Sequence, residues 1–546
     1  QNTIINSPFR DLLIVDIGGT VASGYAGKLF ADYGARVVNL EPSQGFSTRR
    51  IEPLLNNGNS AIHAYLHANK ESVCCDDLLT GHPAIAAADL VLMDITTLPL
   101  SLSKDDFDVN VCAISWYGLN GPYADFNGSD ASIYALTGLM QGVGESQGPP
   151  IIPTGYQTQI VGGLSAFNGA AGYLLGQHLK GDDKPTAFCL DASIWEANMC
   201  LTDIGAAMSF NQEPLPQRMG INRFAPTYPL GIWPCKDGWL GVTVLNPAQW
   251  FAFCELLGLD DFAAEPKYQN SMARLEDVEL LEPRILEALS QQSAEDLFYR
   301  GQSMRIPLAR VPTMEELLTV DQYVQRQAFS EYSCEGETFQ APSCPFRLLE
   351  TPPLYGGDTA NLGADNQGWD TESVSTKDSL DTSRSGSKEE EDSSIPQGPL
   401  EGITIVDLSM GWAGPLATRN LADLGATIIK IESCTRFDWF RSWEASQEWI
   451  DNNGAEKEVR FINLNRNKLD VTLDFESKVG RDLLLRLVAK ADAVIENYSG
   501  GVLPKLKLNY PVLREVNPKL VMVSMPAFGG TGPWAKFRAY GSTVEQ

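Results

Sequence analysis

One stretch of this chain occurs twice. Ile14-Val15-Asp16-Ile17 leads through Gly18, Gly19 and Ala26 to Phe30-Ala31-Asp32-Tyr33-Gly34-Ala35-Arg36-Val37-Val38-Asn39-Leu40-Glu41. Ile405-Val406-Asp407-Leu408 leads through Gly411 and Ala417 to Leu421-Ala422-Asp423-Leu424-Gly425-Ala426-Thr427-Ile428-Ile429-Lys430-Ile431-Glu432. The offset is 391 residues at both Ile14/Ile405 and Gly34/Gly425. A separation that long is a duplicated domain, not a solenoid period. Each copy reads as strand, glycine turn, helix, strand, which is a βαβ unit opening a parallel sheet. Leu90-Val91-Leu92 and Val111-Cys112-Ala113-Ile114 continue the first copy as strands. Ala493-Val494-Ile495 and Leu520-Val521-Met522-Val523 continue the second. The predicted fold is therefore α/β with a ligand crevice at the strand ends. Neither copy has G-x-G-x-x-G or a Walker sequence, which argues against a dinucleotide fold site or a P-loop.

The 546 residues carry a formal net charge of −28, which argues against nucleic acid and anionic membrane surfaces as partners. A phosphorylated ligand would need a local basic exception. No apolar run is long enough to cross a bilayer and no secretory signal is evident. The ten cysteines have no zinc or disulfide-framework spacing, and Cys74-Cys75 are adjacent. Reduced thiols, a cytoplasmic setting and no metal are expected.

From about Gly356 to Gly398 the apolar periodicity is lost, and 370–394 is a Ser-, Asp- and Glu-rich run. The expected organisation is a first domain over 8–355, a disordered or surface linker over 356–399, and a second domain over 400–546. Asn120-Gly121-Pro122-Tyr123-Ala124-Asp125-Phe126 matches Thr531-Gly532-Pro533-Trp534-Ala535-Lys536-Phe537. The first copy runs on for over two hundred residues after this point and the second for thirteen after Pro533. The second copy is thus expected to be incomplete at Gln546.

These residues resemble a known family. Ile405–Pro415 with Leu421–Glu432 is similar to the opening of class III CoA-transferases of the crotonobetaine/formyl-CoA type. Ala491-Asp492-Ala493-Val494-Ile495-Glu496-Asn497-Tyr498, Asn517-Pro518-Lys519-Leu520-Val521 and Phe528-Gly529 to Pro533 follow in the family order. The first copy adds Leu136–Met140, Gly231–Gly238 and Ile306–Val311. The resemblance implies a Rossmann-like parallel-sheet domain with a smaller α+β domain, here duplicated in tandem, and an interlocked dimer. In one chain that dimer would be an intramolecular pseudo-dimer; a homodimer is the other form. It also implies coenzyme A and acyl-CoA as co-substrates and a small carboxylic acid as acceptor. CoA transfer would run through an enzyme aspartyl-CoA thioester, which is nucleophilic catalysis with oxyanions stabilised at each tetrahedral stage. The tandem arrangement is similar to dimethylsulfoniopropionate CoA-transferase/lyases, which implies that sulfonium acid as acceptor and release of dimethyl sulfide. Another fused carboxylate CoA-transferase and a non-catalytic CoA-binding or regulatory homologue remain open.

Site residues carry over unevenly. The nucleophile segment matches Leu190-Asp191-Ala192-Ser193-Ile194-Trp195-Glu196-Ala197, with Glu196 at the nucleophile position. One extra methylene displaces the carboxylate by roughly 1.5 Å, a misplacement that can cost about a hundredfold in rate. A polar residue at a helix start is the plain structural reading of Glu196, and the working Asp is expected beyond Gln546. Racemase relatives use an Asp at the Asp191 position with a His where this chain has Ser129, whose hydroxyl cannot exchange a proton near neutral pH as imidazole does. For CoA the second copy offers Trp412, Ala413, Leu473, Asn497, Tyr498, Lys505, Leu506, Arg538 and Tyr540. Lys505 and Arg538 would meet phosphates, and Trp412 or Tyr498 would lie against adenine. In the first copy Asp94-Ile95 replaces Asn497-Tyr498, and Asn127 replaces Arg538. Pro42 and Ser433 stand where the family has an arginine, so both copies lack that contact. The first copy reads as degenerate and the second as the one that binds CoA.

Overall fold

In a computed structural model the described residues are 7–76, 81–95, 108–142, 144–181, 186–201, 203–210, 218–225, 227–369, 398–442 and 446–541, without the side chains of 203, 204, 206 and 210. They form two compact units. One gathers Gln1–Gly138, Ile152–Thr202 and Gln327–Glu401; the other gathers Leu139–Ile151, Asp203–Arg326 and Gly402–Gln546.

The first unit is built on six strands: β1 (Leu13–Asp16), β2 (Arg36–Glu41), β3 (Glu71–Cys74), β4 (Leu90–Asp94), β5 (Val111–Ser115) and β6 (Cys189–Ser193). Their order is β3-β2-β1-β4-β5-β6, and every neighbouring pair is parallel. Residues of β4 and β5 are all buried, as expected for a parallel sheet covered on both faces. Successive side chains alternate between two cores. Ile14, Leu90, Leu92, Cys112 and Ile114 pack on one side with Phe30 and Phe167 from the helices Val21–Asp32 and Gln157–Lys180. Val15, Val38, Val91, Met93 and Ala113 pack on the other. A smaller sheet completes the unit: β10 (Phe329–Cys334) pairs antiparallel with β11 (Glu337–Pro342) and parallel with β12 (Gly357–Thr359).

The folded chain thus extends past Gly356, where the composition placed the start of the linker. Gly357 sits where a Cβ would meet the Asn69 side chain at 2.1 Å, at φ +148°, so only glycine fits. Trp369 is buried, donates to Glu71 and lies under the Arg36 guanidinium at 4.6 Å. Single anchors of this kind carry no periodicity. The remainder of the expected linker, 370–397, lies outside the described residues, as does Gln546.

The second unit repeats the sheet. β13 (Thr404–Asp407), β14 (Thr427–Glu432), β15 (Lys468–Thr472), β16 (Ala493–Glu496) and β17 (Val521–Ser524) take the order β15-β14-β13-β16-β17, again all parallel. The registers agree between copies: Asp16 lies opposite Leu92, and Asp407 opposite Ile495. Both copies also tie the first strand down in the same way, with the Leu13 N–H donating to Asp89 and the Thr404 N–H to Asp492. A smaller α+β element belongs to this unit. There β7 (Leu230–Cys235), β8 (Gly238–Thr243) and β9 (Leu308–Val311) form an antiparallel sheet against helices that include Pro247–Leu257 and Ala294–Ser303. Trp233, Trp250, Phe253 and Phe298 fill its core.

Candidate functional site

Both copies turn from strand to helix over the carboxylate that ends their first strand. The Gly18 and Ser409 N–H groups donate to Asp16 and Asp407, each at 2.9 Å. Each carboxylate is fully buried and faces a buried lysine at the start of the third strand: Lys70 immediately precedes β3, and Lys468 is the first residue of β15. Lys70 Nζ is 3.8 Å from Asp16, and Lys468 Nζ is 3.1 Å from Asp407. Lys70 also donates to the Gly24 carbonyl, and Lys468 to those of Pro415 and the Asn465 side chain. Each lysine follows an asparagine, Asn69 or Asn467, in left-handed conformation. Leu66–Lys70 and Leu464–Lys468 share this L-x-x-N-K spelling, a repeat the sequence reading did not use.

The copies then diverge. Lys430, which replaces Asn39, donates to the Ser409 carbonyl and pairs with Asp438, whose carboxylate accepts from the Gly411 N–H. Burial alone would raise the Asp407 carboxyl; Lys430 and Lys468 outweigh it and hold it below the usual carboxylate range. At Asp16 burial prevails over Lys70 and the carboxyl is raised. In both copies an aromatic ring packs on a turn glycine at positive φ: a Cβ at Gly19 would lie 2.4 Å from the Phe46 ring, and one at Gly411 2.3 Å from the Trp439 ring. Asp94 is buried and accepts from the Thr20 hydroxyl at 2.5 Å. Val21, buried, stands where the second copy has Trp412, which is 41% exposed.

In the second copy four segments meet at the carboxyl ends of β13, β16 and β17, where ligands of open α/β sheets bind. The first is the turn Ser409–Trp412, leading to Ala413, the first residue of the helix Ala413–Asp423. The second is the end of β16. The Asn497 amide there is spent on the turn, accepting from the Met410 N–H and donating to the Met410 carbonyl. Asn497 therefore fixes the turn rather than projecting from it. Tyr498, Leu473 and Leu506 pack together on the core of this sheet, and burial raises the Tyr498 phenol. The third segment, at Gly500, donates to the Ala535 carbonyl at 3.2 Å. This brings the helix Val502–Leu506, with exposed Lys505, beside the fourth segment, the loop 525–541 that carries exposed Arg538. Tyr540 ends a chain of aromatics. It lies 6.1 Å from Trp439, which contacts Phe440, itself 5.8 Å from Trp412.

The first-copy candidates lie in β6, in the helical turn that follows it and in the segment before the helix Asp130–Thr137. Glu196 is exposed in the first turn of the helix Ile194–Met199, and the cap of that helix is Ser193, which accepts from the Glu196 N–H. Asp191 accepts from the Leu119 N–H at 2.9 Å. Ser129 caps the helix Asp130–Thr137. Asn127 is exposed. No group of three or more metal-ligating side chains is found among the described residues, and no described helix is long and apolar enough to cross a membrane.

The model of CoA-transferase family III matches residues 9–91, 100–366 and 400–546. The chain belongs to that family. It is 26% identical over 537 residues to a probable CoA-transferase of Mycobacterium tuberculosis, covering 95% of this chain and 64% of that protein. A succinate–glutarate CoA-transferase of Agrobacterium fabrum is 38% identical over 149 residues, and an acetyl-CoA:oxalate CoA-transferase of Acetobacter aceti 35% over 150, each match spanning 37% of the relative. The chain thus spans less than two thirds of the curated relatives it matches. Among solved structures, a CaiB/BaiF family protein from Brucella suis superposes with a TM-score of 0.58 at 20% identity, covering 66% of this chain and 98% of that one. The family fold explains the pairing of a Rossmann-like sheet with a small antiparallel α+β element.

Proposed function

We propose that the protein moves CoA from an acyl-CoA to a small carboxylic acid, and that the second copy holds the CoA. The observation that carries this reading is the asymmetry of the two crevice mouths. In the second copy two exposed cations, Lys505 and Arg538, stand on segments tied together at Gly500 and Ala535, and Trp412 at the start of the first helix is exposed. In the first copy buried Val21 stands in place of Trp412, and Asn127 in place of Arg538. An exposed arginine and lysine can give charge-assisted bonds to phosphate oxygens, and an indole offers a face for adenine.

In the proposed reaction an enzyme carboxylate attacks the thioester carbonyl and expels CoA thiolate, forming a mixed anhydride. The thiolate attacks the enzyme carbonyl of that anhydride, releasing the donor acid and leaving an enzyme-CoA thioester. The acceptor carboxylate repeats the sequence in reverse. Glu196 is not the nucleophile in this reading, because its carboxylate is solvated rather than desolvated beside a crevice. The tandem organisation supports dimethylsulfoniopropionate as the acceptor, with release of dimethyl sulfide; the oxalate and glutarate named for the relatives are the competing acceptors.

Calorimetric titration with CoA of full-length Arg538→Glu and Asn127→Glu tests the assignment. The first change should weaken binding at least tenfold, since it replaces an attraction to phosphate with a repulsion. The second should leave it within about twofold. Equal losses, or a loss confined to the Asn127 variant, would place CoA elsewhere.

A further inference from the structure

The loop that carries Arg538 is shaped by side chains more than two hundred residues upstream, in the small α+β element. Gln302, on the helix Ala294–Ser303, grips one residue of the loop through both of its backbone groups. Its Oε1 accepts from the Arg538 N–H at 2.8 Å and its Nε2 donates to the Arg538 carbonyl at 2.9 Å. The second Nε2 proton goes to the Leu308 carbonyl. Gln322, on the helix Asp321–Gln325, donates to the carbonyls of Phe528 and Thr531 and accepts from the Trp534 N–H at 2.8 Å. Both amides are buried and use every donor they have.

The loop has no room to relax around them. A Cβ at Gly532 would lie 2.4 Å from Gln322 Oε1, and one at Gly529 would lie 2.0 Å from the Arg326 guanidinium carbon. Both glycines are at positive φ. Arg326 also donates to the Thr531 hydroxyl, and Gln249 to the Tyr540 phenol. Trp534 and Phe537 pack on Phe298 at 5.0 and 5.5 Å. The matching loop of the first copy leaves the corresponding Tyr123 and Phe126 rings 42% and 58% exposed.

We infer that Gln302 and Gln322 are positioning residues for CoA: they hold the backbone on either side of Arg538 so that its guanidinium meets the nucleotide without a further ordering cost. This rests on the reading that the second copy binds CoA through Arg538. A flexible arginine loses much of its binding energy in being fixed, and a preorganised backbone removes part of that cost. The residues doing this lie between the two repeated stretches in sequence, so the first copy's small element serves the second copy's crevice.

The test is a double-variant cycle in the full-length protein, with CoA as titrant. Arg538→Ala should weaken CoA binding about tenfold and Gln302→Met about fivefold. The double variant should be no weaker than Arg538→Ala alone, because the glutamine acts through the arginine. Gln322→Met, which leaves the Leu308 bond intact, should behave like Gln302→Met and covers the case in which the Gln302 variant does not fold. If the two losses multiply in the double variant, the glutamine acts by another route and the inference is overturned. It is also overturned, alone, if both glutamine variants bind CoA normally while Arg538→Ala does not. If Arg538→Ala itself binds normally, the proposed CoA site fails and this inference fails with it.

Discussion

Methionine at Lys70 or Lys468 removes a buried ammonium while keeping most of its stem, and the two copies should answer differently. Lys70 is the cation that offsets burial at Asp16, and even with it in place the carboxyl is raised. Without it burial goes unopposed by that cation and the carboxyl is pushed further up. A carboxyl held fully neutral in the fold costs at most about 4 kcal/mol at pH 7 and about 1.5 kcal/mol at pH 5, relative to an ionised unfolded Asp. In that variant the folded state binds more protons than the unfolded state above the ordinary carboxyl range, so its stability falls as pH rises. Lys468 differs because Lys430 remains to hold Asp407 ionised. Its loss strands the Pro415 and Asn465 oxygens, a cost of about 2–4 kcal/mol that should not vary with pH over this range. Both lysines are themselves pushed down to about 8 by burial, so the comparison belongs below that pH. Hydrogen exchange read by mass spectrometry on peptides covering β1 and β13 reports each copy separately, which a single unfolding curve of a two-unit protein cannot. A Lys70→Met penalty that is the same at pH 5 and pH 7, or a Lys468→Met penalty that grows with pH, would refute the electrostatic account.

Two further outcomes are expected. Burial pushes the His63 imidazole down to about 3 and holds the stacked His67 well below its usual value, so both stay neutral in the fold. Their contribution is complete above about pH 6.5 and is lost as pH falls, at about 1.4 kcal/mol per pH unit for each ring. In pH-dependent denaturation His63→Phe should remove one ring's share of that slope, and an unchanged slope would show that His63 is not held neutral. Glu196→Ala should keep CoA transfer within about tenfold in the full-length enzyme, since its carboxylate is solvated. Hydroxylamine trapping and peptide mapping would expose the error if the CoA adduct lies on the peptide that carries Glu196.

The sheet was legible because parallel strands are continuous apolar runs, and Leu90–Leu92 and Val111–Ile114 fall within β4 and β5. The duplicated unit was legible because its strand-ending Asp and the glycine after its helix, Asp16/Asp407 and Gly34/Gly425, recur at one offset. The bracing of the site was not. Gln302 lies 236 residues from Arg538 and Gln322 lies 212 residues from Trp534, and an amide side chain leaves no periodic trace. The role of Asn497 was legible only by position. A sequence motif says that an amide stands at the end of β16, but not that both of its ends are committed to Met410. Burial of Asp94 was equally hidden: sequence shows a carboxylate, and only packing shows that it points under the turn at Thr20.

The two copies keep the same mechanical parts and differ in the electrostatic ones. The Asp–Lys pair under the turn, the left-handed asparagine before the lysine and the aspartate tie to the first strand recur in both, and each acts on the sheet rather than on a ligand. Lys430, Asp438, Trp412 and Arg538 are found only in the second copy, and each lies at or beside the crevice mouth. Scaffold parts are held in place because removing one partner of a buried pair leaves an uncompensated charge, a loss of about 3–5 kcal/mol that a marginally stable fold does not tolerate. The exposed mouth residues Trp412 and Arg538 carry no such penalty, and Val21 can stand in place of an aromatic group while burying apolar surface of its own. A copy can therefore lose its ligand site without losing its fold. What keeps the first copy useful in this scheme is its small element, whose buried glutamines shape the loop of the second.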